Sequence, residues 1–305
     1  MNEIIYYITL NMSSLQFVTC KIMGGLGNQL FQIFTTIAYS IRNDISVIFP
    51  YIYQLDEKRH SYWNSFLTDI SNNTTLNQEW KLNNNHLSSI PIYRENTFHF
   101  QEIPKVAFSF QLFGYFQSYK YFIHEQENIF RSIRLREQQQ SILYEYSRLF
   151  DDLENATYIS LHFRLGDYIL LQDHHPILSL EYYKKSMDFI LSFLSCSRKI
   201  KIVYFCEEND NGIVSDKMNK LKSYFKEENI EFLKVKDDIP DWKQLLIMSI
   251  CHHNIIANST FSWWGAYFNA NPNKLVCYPS IWFGVKKQNY ILNDLFPSNW
   301  KKIEC

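Results

Sequence analysis

The sequence predicts an α/β protein with two domains, each built on a parallel sheet, that face each other across a cleft. In the second half of the 305-residue chain, apolar strand-like segments alternate with helix-like segments, and this alternation is typical of right-handed βαβ units. The first half opens with a single β-loop-α unit. We divide the chain into an N-terminal extension over 1–14, a first α/β domain over 15–155 and a second, Rossmann-type domain with a C-terminal tail over 156–305.

The first domain is predicted to begin with a strand over 15–23 and a helix over 29–41. The helix is predicted because its apolar residues recur at helical spacing. Three of the chain's eight glycines lie in the turn between these elements: Gly24, Gly25 and Gly27. Such a turn directs backbone N–H groups towards an anionic or polar ligand. A tight structural turn is the alternative, since Leu30 replaces the last glycine of a dinucleotide-binding fingerprint.

The second domain is predicted to contain five strands and four helices. The strands are predicted over 158–163, 200–206, 231–235, 254–257 and 274–278. The helices are predicted over 180–194, 214–228, 242–252 and 261–269. Ligands of open parallel sheets bind beyond the carboxyl ends of the strands. The polar residues at those ends, among them Glu207, are therefore candidates for a binding site.

The segment HFRLGDY places a base, a cation and an acid close together at the end of one predicted strand. His162 and Arg164 project to the same side of an extended chain. Arginine suits a phosphate, because its guanidinium donates two parallel hydrogen bonds and keeps its charge. An ion pair between Arg164 and Asp167 beside a structural histidine remains the alternative.

A small polar turn is predicted where the strand over 254–257 meets the following helix. Its residues are Asn258, Ser259, Thr260, Phe261 and Ser262. Hydroxyl groups at a helix N-terminus favour a phosphate, and plain N-capping is the alternative. We interpret Trp263 and Trp264 as core residues.

Composition excludes several classes of function. Thirty Lys and Arg residues against 31 Asp and Glu residues give a net charge of −1, which argues against nucleic acid as a partner. The six cysteines are scattered without a CxxC pair, so neither a disulfide framework nor a zinc site is predicted. No DxD metal clamp is present, and the His174–His175 pair is interpreted as structural. Without a signal peptide or membrane segment, we expect a cytoplasmic protein.

Four segments of the chain are together similar to one family. GGLGNQLFQ, FGYFQSYKYF, HFRLGDY and IIANSTFSWWGAYF resemble, in order and spacing, glycosyltransferase family 11, the galactoside α-1,2-fucosyltransferases. The resemblance implies a GT-B-like fold, with the acceptor on the first domain and the GDP-sugar on the second. It also implies transfer from GDP-β-L-fucose to a galactoside with inversion, no cofactor and no obligatory metal.

The resemblance also implies roles for individual residues. Arg164 is expected to bind the β-phosphate of GDP and stabilise the leaving group, with His162 near the nucleotide. Asn28 matches an asparagine at the sugar-transfer cleft of related fucosyltransferases. The remaining residues expected to bind the donor are Gly25, Gly27, Glu207, Asn258, Ser259, Thr260, Phe261 and Ser262. Leu165 stands where many members have a second arginine.

The predicted mechanism also needs a general base for the acceptor hydroxyl. Asp167 is the first candidate, with His162 and Glu207 behind it, and Asp167 could instead orient Arg164. Two other functions remain open. One is a fucosyltransferase with another acceptor or linkage, such as a protein O-fucosyltransferase, and the other is a non-catalytic relative that binds glycans or nucleotide sugars.

Overall fold

The computed structural model describes residues 16–194, 198–226 and 228–305, which form two compact α/β units. The extension predicted over 1–14 lies outside the described residues. Unit 1 ends at Leu135 and also includes Tyr290–Pro297. Unit 2 consists of Arg136–Asn289 and Ser298–Cys305. The predicted α/β class with two parallel sheets is confirmed.

The units divide at Leu135, whereas the sequence placed the division near residue 155. The intervening helix, Leu135–Glu145, is bonded to unit 2. The Gln139 amide donates to Ser249 Oγ at 2.8 Å, and Lys243 Nζ lies 2.6 Å from a carboxylate oxygen of Glu145. The polar sequence of this helix (REQQQ) carries no apolar pattern that would have assigned it to either unit.

Unit 1 contains a four-stranded parallel sheet with the order β2-β1-β4-β3. Its strands are β1 (Phe17–Cys20), β2 (Ser46–Val47), β3 (Ile92–Arg94) and β4 (Phe110–Phe113). Its helices are α1 (Leu26–Asn43), α2 (Asn84–Ser88) and α3 (Gln126–Ser132). The buried face of α1 packs against β1 and carries the apolar residues that predicted the helix.

Unit 2 begins with α4 (Leu135–Glu145), whose first residue closes unit 1. Its strands are β5 (Ala156–His162), β6 (Lys199–Phe205), β7 (Ile230–Lys234), β8 (His253–Ile255), β9 (Val276–Pro279) and β10 (Lys301–Ile303). Its other helices are α5 (Leu180–Leu191), α6 (Asn211–Tyr224), α7 (Asp241–Ile250) and α8 (Thr260–Tyr267). Every predicted strand and helix of this domain is present, and β10 is additional.

The six strands of unit 2 are parallel and lie in the order β10-β9-β8-β5-β6-β7. The chain therefore builds outward from β5 through β6 to β7, and then returns to the other side of β5 with β8. This is the strand order of a Rossmann fold. The strand order reverses between β5 and β8, and folds of this type bind their ligands at that point.

The core explains why these segments form strands and helices. All seven residues of β5 are buried, as expected for a central parallel strand covered on both faces. Trp263 and Trp264 are fully buried and packed edge to face, which confirms their interpretation as core residues. In the described part of the chain, no helix is long and apolar enough to cross a membrane.

Candidate active site

The predicted site residues fall into two groups, one in each unit. The larger group lies at the carboxyl ends of β5, β6 and β8 in unit 2. The smaller group comprises Gly25, Gly27 and Asn28, which lie at the start of α1 in unit 1.

Arg164 lies between two carboxylates at the carboxyl end of β5. Its guanidinium donates to Asp167 Oδ1 at 2.6 Å and, through the other terminal nitrogen, to Glu207 Oε1. It also lies over the Tyr168 ring, with its central carbon 5.1 Å from the ring centroid. Burial lowers the pKa of Arg164, but Glu207, Tyr168 and Asp167 more than offset this and raise it. Arg164 therefore stays charged at any working pH.

The backbone at Gly166 shapes the turn that carries Arg164 and Asp167. Gly166 has a φ of +40°, and its N–H donates to Asp210 Oδ2 at 2.9 Å. A Cβ at this position would lie 2.6 Å from Glu207 Oε2. The left-handed conformation favours glycine, and any side chain here would have to displace the carboxylate of Glu207. The ion pair between Arg164 and Glu207 thus depends on a residue without a side chain.

His162 ends β5 as a buried residue, 7% exposed. Its ring packs against Phe261 at a centroid distance of 5.6 Å. Burial, reinforced by the charge of Arg164, lowers the pKa of His162 to about 3. Within the described residues, its Nδ1 is buried without a hydrogen-bond partner. At neutral pH this imidazole is uncharged.

Tyr168 links the two segments on either side of the switch between β5 and β8. Its hydroxyl donates to the main-chain carbonyl of Asn258 at 3.1 Å. Its ring stacks on His175 at a centroid distance of 4.7 Å. The ring of Tyr168 thus contacts the guanidinium of Arg164, and its hydroxyl holds the turn that follows β8.

The turn after β8 is held by its own polar side chains. The Asn258 amide donates to the carbonyl of Pro176 at 2.8 Å. Ser259 caps α8 by accepting from the N–H of Phe261 at 3.3 Å. Ser262 is 1% exposed, and its hydroxyl accepts from the N–H of Ala257 at 3.2 Å. The hydroxyl of Ser259 therefore caps the helix, as the alternative predicts, and that of Ser262 binds the backbone before the helix. Their contact with a donor stays a prediction.

In unit 1, the turn GGLGN is tied to α1 by two glutamines. Gln32 Oε1 accepts from the N–H of Met23 at 2.8 Å, and Gln32 Nε2 donates to the carbonyl of Met23 at 3.1 Å. Gln29 Nε2 donates to the carbonyl of Gly24 at 2.9 Å. Gly24 has a φ of +79°, and Gly25 is the N-cap of α1. These side-chain hydrogen bonds fix the path of the chain between β1 and α1.

Asn28 projects from the first turn of α1 and is bonded to the segment that follows β4. Gln117 Nε2 donates to Asn28 Oδ1 at 2.9 Å. The residues predicted for this unit thus meet FGYFQS, a segment singled out in the sequence without a role.

Comparison with known proteins identifies the family. A model of Glycosyl transferase family 11 matches residues 4–304. The chain belongs to glycosyltransferase family 11.

Two relatives from Escherichia coli are similar to this family 11 chain. The O-antigen biosynthesis glycosyltransferase WbnK is 29% identical over 189 residues, which cover 60% of this chain and 58% of WbnK. The match therefore spans less than two thirds of that relative. An alpha-1,2-colitosyltransferase is 23% identical over 316 residues, which cover 94% of this chain and 99% of the relative.

Solved structures with a similar fold include two fucosyltransferases with bound GDP. FUT1 of Arabidopsis thaliana has a TM-score of 0.48 and 12% identity, with 90% of this chain and 73% of that chain covered. NodZ alpha-1,6-fucosyltransferase from Bradyrhizobium has a TM-score of 0.45 and 12% identity, with 83% and 92% covered.

Two adjacent histidines of this family 11 chain, His252 and His253, bind backbone N–H groups. His252 Nδ1 accepts from the N–H of Tyr158 at 2.9 Å, and His253 Nδ1 accepts from the N–H of Leu275 at 3.0 Å. Among the residues that the structure describes, no three His, Cys, Asp or Glu side chains are grouped so that they could hold a metal ion.

Sequence reasoning missed three residues that organise the candidate site: Tyr168, Asp210 and Glu95. The carboxylate of Glu95 accepts from the N–H groups of Tyr115 and Phe116, just before Gln117. Tyr168 was within HFRLGDY, and Asp210 follows β6 among the polar residues of a strand end, so both carried a usable signal. Glu95 follows β3, a strand of three residues with no apolar pattern, and nothing in the sequence marked it.

Proposed function

We propose that this chain transfers L-fucose from GDP-β-L-fucose to the 2-hydroxyl of a terminal galactose, with inversion and without an obligatory metal. One observation carries the proposal. A permanently charged arginine, Arg164, stands at the switch point of a Rossmann-type sheet in a member of glycosyltransferase family 11. A ligand with a diphosphate suits this position.

In the proposed reaction, the bond between the sugar's anomeric carbon and the β-phosphate oxygen breaks, and GDP leaves with the electron pair. Negative charge grows on the β-phosphate, and Arg164 stabilises it from a fixed position. Preorganised charge of this kind stabilises a transition state without reorganisation at the moment of reaction. Glu207 and Asp167 hold the guanidinium in place before the donor arrives.

The acceptor hydroxyl attacks the opposite face of the anomeric carbon and loses its proton to a base. Asp167 is the proposed base, because its carboxylate is half exposed and thus open to an acceptor hydroxyl. His162 is a poor alternative, since its buried ring has a pKa lowered to about 3. We assign His162 to the floor of the nucleotide site, against Phe261.

Remaining residues of the proposed site bind or orient the substrates. The turn from Asn258 to Ser262, with Thr260 and Phe261 at its centre, supports the donor. Gly25 and Gly27 shape the turn that presents Asn28, and the amide of Asn28 can donate to an oxygen of the sugar or the acceptor.

A second donor sugar is favoured by one comparison. The relative that matches 94% of this chain is named an alpha-1,2-colitosyltransferase. Colitose differs from L-fucose only by lacking the 3-hydroxyl, and a site that does not bond this hydroxyl discriminates weakly between the two sugars. The shared α-1,2 linkage in that name supports transfer to a 2-hydroxyl with either donor.

A donor and acceptor screen tests the proposal. Purified chain is incubated with GDP-fucose or a colitosyl donor and a panel of galactosides, and product linkages are mapped by NMR. We expect α-1,2-fucosylated galactosides, and undiminished turnover in excess EDTA. Exclusive use of the colitosyl donor would show that the transferred sugar is colitose and not fucose. A product on serine or threonine of a protein would replace the galactoside as acceptor. GDP binding without any transfer would identify a non-catalytic relative.

A further inference from the structure

We infer that Gln117 is the positioning residue for Asn28, and that the segment FGYFQS exists in this fold to hold the two together. The inference rests on the proposed function, in which Asn28 contacts the transferring sugar or its acceptor. It assigns a role to a segment whose role the sequence left open.

Asn28 and Gln117 lie in the segments that follow two neighbouring strands of the sheet of unit 1. Strands β1 and β4 are parallel neighbours, paired from Val18 with Phe110 to Cys20 with Leu112. From β1 the chain moves to β2 on one side, and it later fills the other side with β3 and β4. Asn28 follows β1 and Gln117 follows β4, so their hydrogen bond joins the segments that follow the two strands at which the strand order reverses. Ligands of open parallel sheets bind there.

The hydrogen bond determines which way the Asn28 amide points. Gln117 donates through Nε2, so the atom of Asn28 that it contacts is the oxygen Oδ1. The Asn28 nitrogen lies on the other side, against Gly24, where a Cβ would come within 2.6 Å of it. With this donor on Oδ1, the Asn28 amide is held in one of its two orientations. In that orientation its nitrogen presents N–H donors.

Gln117 is buried, and the backbone on both sides of it is held by hydrogen bonds. It is 6% exposed, and the residues before it are clamped by a buried carboxylate. Glu95 Oε2 accepts from the N–H groups of Tyr115 at 2.7 Å and Phe116 at 3.0 Å. Phe116 has a φ of +51°, a conformation that a bulky residue adopts only when its surroundings impose it.

Gly114 completes this clamp. A Cβ at Gly114 would lie 2.4 Å from the Cβ of Glu95, so the carboxylate can reach the turn only because the residue before Tyr115 has no side chain. On the far side of Gln117, Ser118 Oγ donates to the carbonyl of Asp294 at 2.7 Å. The segment is thus fastened on both sides of the glutamine that contacts Asn28.

This arrangement predicts a specific kinetic effect. Replacing Gln117 by leucine keeps the bulk of the side chain and removes its hydrogen-bond donor. The Asn28 amide can then rotate, and in a fraction of the molecules its N–H groups no longer face the reacting sugar. Gln117→Glu places an acceptor beside the amide and favours the reversed orientation. We expect kcat to fall about 5-fold or more for Gln117→Leu, and further for Gln117→Glu, with KM for GDP-fucose unchanged within about 2-fold.

A double-mutant cycle with Asn28→Ala separates positioning from general damage. If Gln117 acts through Asn28, Gln117→Leu has no further effect on kcat once Asn28 is alanine. Gln101→Leu is the matched control, since Gln101 is exposed in the same unit, and it should leave kcat unchanged. Additive losses in the cycle overturn the inference.

A second measurement decides the inference even if no transfer is found. In ¹⁵N-labelled full-length chain, the side-chain amide resonances of Asn28 are assigned by their loss in Asn28→Ala. Gln117→Leu should shift them, whereas Gln101→Leu should not. Unchanged resonances overturn the positional link, while shifted resonances in a chain that transfers no sugar retain the link and refute the proposed function alone.

Discussion

The hydroxyl of Tyr168 donates a hydrogen bond to the main-chain carbonyl of Asn258 at 3.1 Å, and so joins the ends of β5 and β8. The bond between Gln117 and Asn28 joins the ends of β1 and β4 in the same manner. In each unit, a side-chain hydrogen bond thus joins the segments that follow the two strands at which the strand order reverses. The residues that we propose for catalysis are attached to these two links.

Removing the positive charge of Arg164 should abolish transfer. Arg164→Ala is expected to lower kcat by a factor of about 100 to 1,000, because the charge that develops on the β-phosphate loses its preorganised partner. Steady-state kinetics with GDP-fucose measures this, and slow hydrolysis of the donor in the absence of acceptor should fall in parallel. Arg164→Lys retains the charge but cannot donate two parallel hydrogen bonds, so its kcat should lie between those of the unmodified chain and Arg164→Ala. Normal turnover in Arg164→Ala would refute the phosphate assignment.

Asp167 and Glu207 both contact Arg164, and their neutral variants distinguish a base from an orienting group. If Asp167 is the base, the variant Asp167→Asn should have a kcat lower by about 100-fold or more. Glu207→Gln removes the same charge from the other side of the arginine and should cost less than about 10-fold. Equal losses in the two variants would mean that both carboxylates only orient Arg164.

Burial of His162 should make the protein less stable in acid. Its pKa is lowered to about 3 in the folded chain, against an ordinary value of 6.5. Between these values the unfolded chain binds a proton that the folded chain does not, so the free energy of unfolding falls as the pH decreases from about 6.5 towards 3. The stability is fully present above pH 6.5.

The variant His162→Gln should reduce this acid sensitivity, as seen in thermal unfolding between pH 7 and pH 4. Some sensitivity should remain, because burial also lowers the pKa of His175 and His253 to about 4. An unchanged slope of Tm against pH in the variant would show that His162 titrates normally.

Two glycine replacements compare a constrained position with an open one. Gly166→Ala should destabilise the fold by about 1–2 kcal/mol, since φ is positive there, and it should weaken GDP binding by displacing Glu207. Gly212→Ala is the control, because a Cβ there meets nothing within 4 Å. It lies in α6 and should be neutral or stabilise by up to about 1 kcal/mol. Denaturant unfolding and GDP titration measure both, and similar results for the two variants would contradict this account.

The sequence predicted unit 2 well because most of its strands lie in apolar segments. A central strand such as β5 is buried on both faces and forms a continuous apolar run, and the helices between the strands have a clear period. By contrast, β3 and β10 are edge strands whose side chains are mostly exposed, and their conformation comes from pairing with β4 and β9. Pairing between distant segments leaves no local pattern.

The candidate site was predicted by residue type, and its internal contacts were not. Charge and spacing singled out Arg164 and Asp167, but the second carboxylate on Arg164 comes from Glu207, which is distant in sequence. The role of Gly166 depends on that same carboxylate. Glu95 could not have been found at all, because its function is to bind two backbone N–H groups of a turn that sequence patterns do not describe.

Both units take their last segment from the end of the chain. Unit 1 is completed by Tyr290–Pro297 and unit 2 by Ser298–Cys305, which supplies β10. Within unit 1, Asp294 bonds to Ser118 and forms an ion pair with Lys120. During synthesis, neither unit has all of its segments until residues 290–305 have left the ribosome, although domains usually fold in order from the N-terminus. A nascent chain that stalls at residue 289 would leave two incomplete units for chaperones or proteases, and not one finished domain.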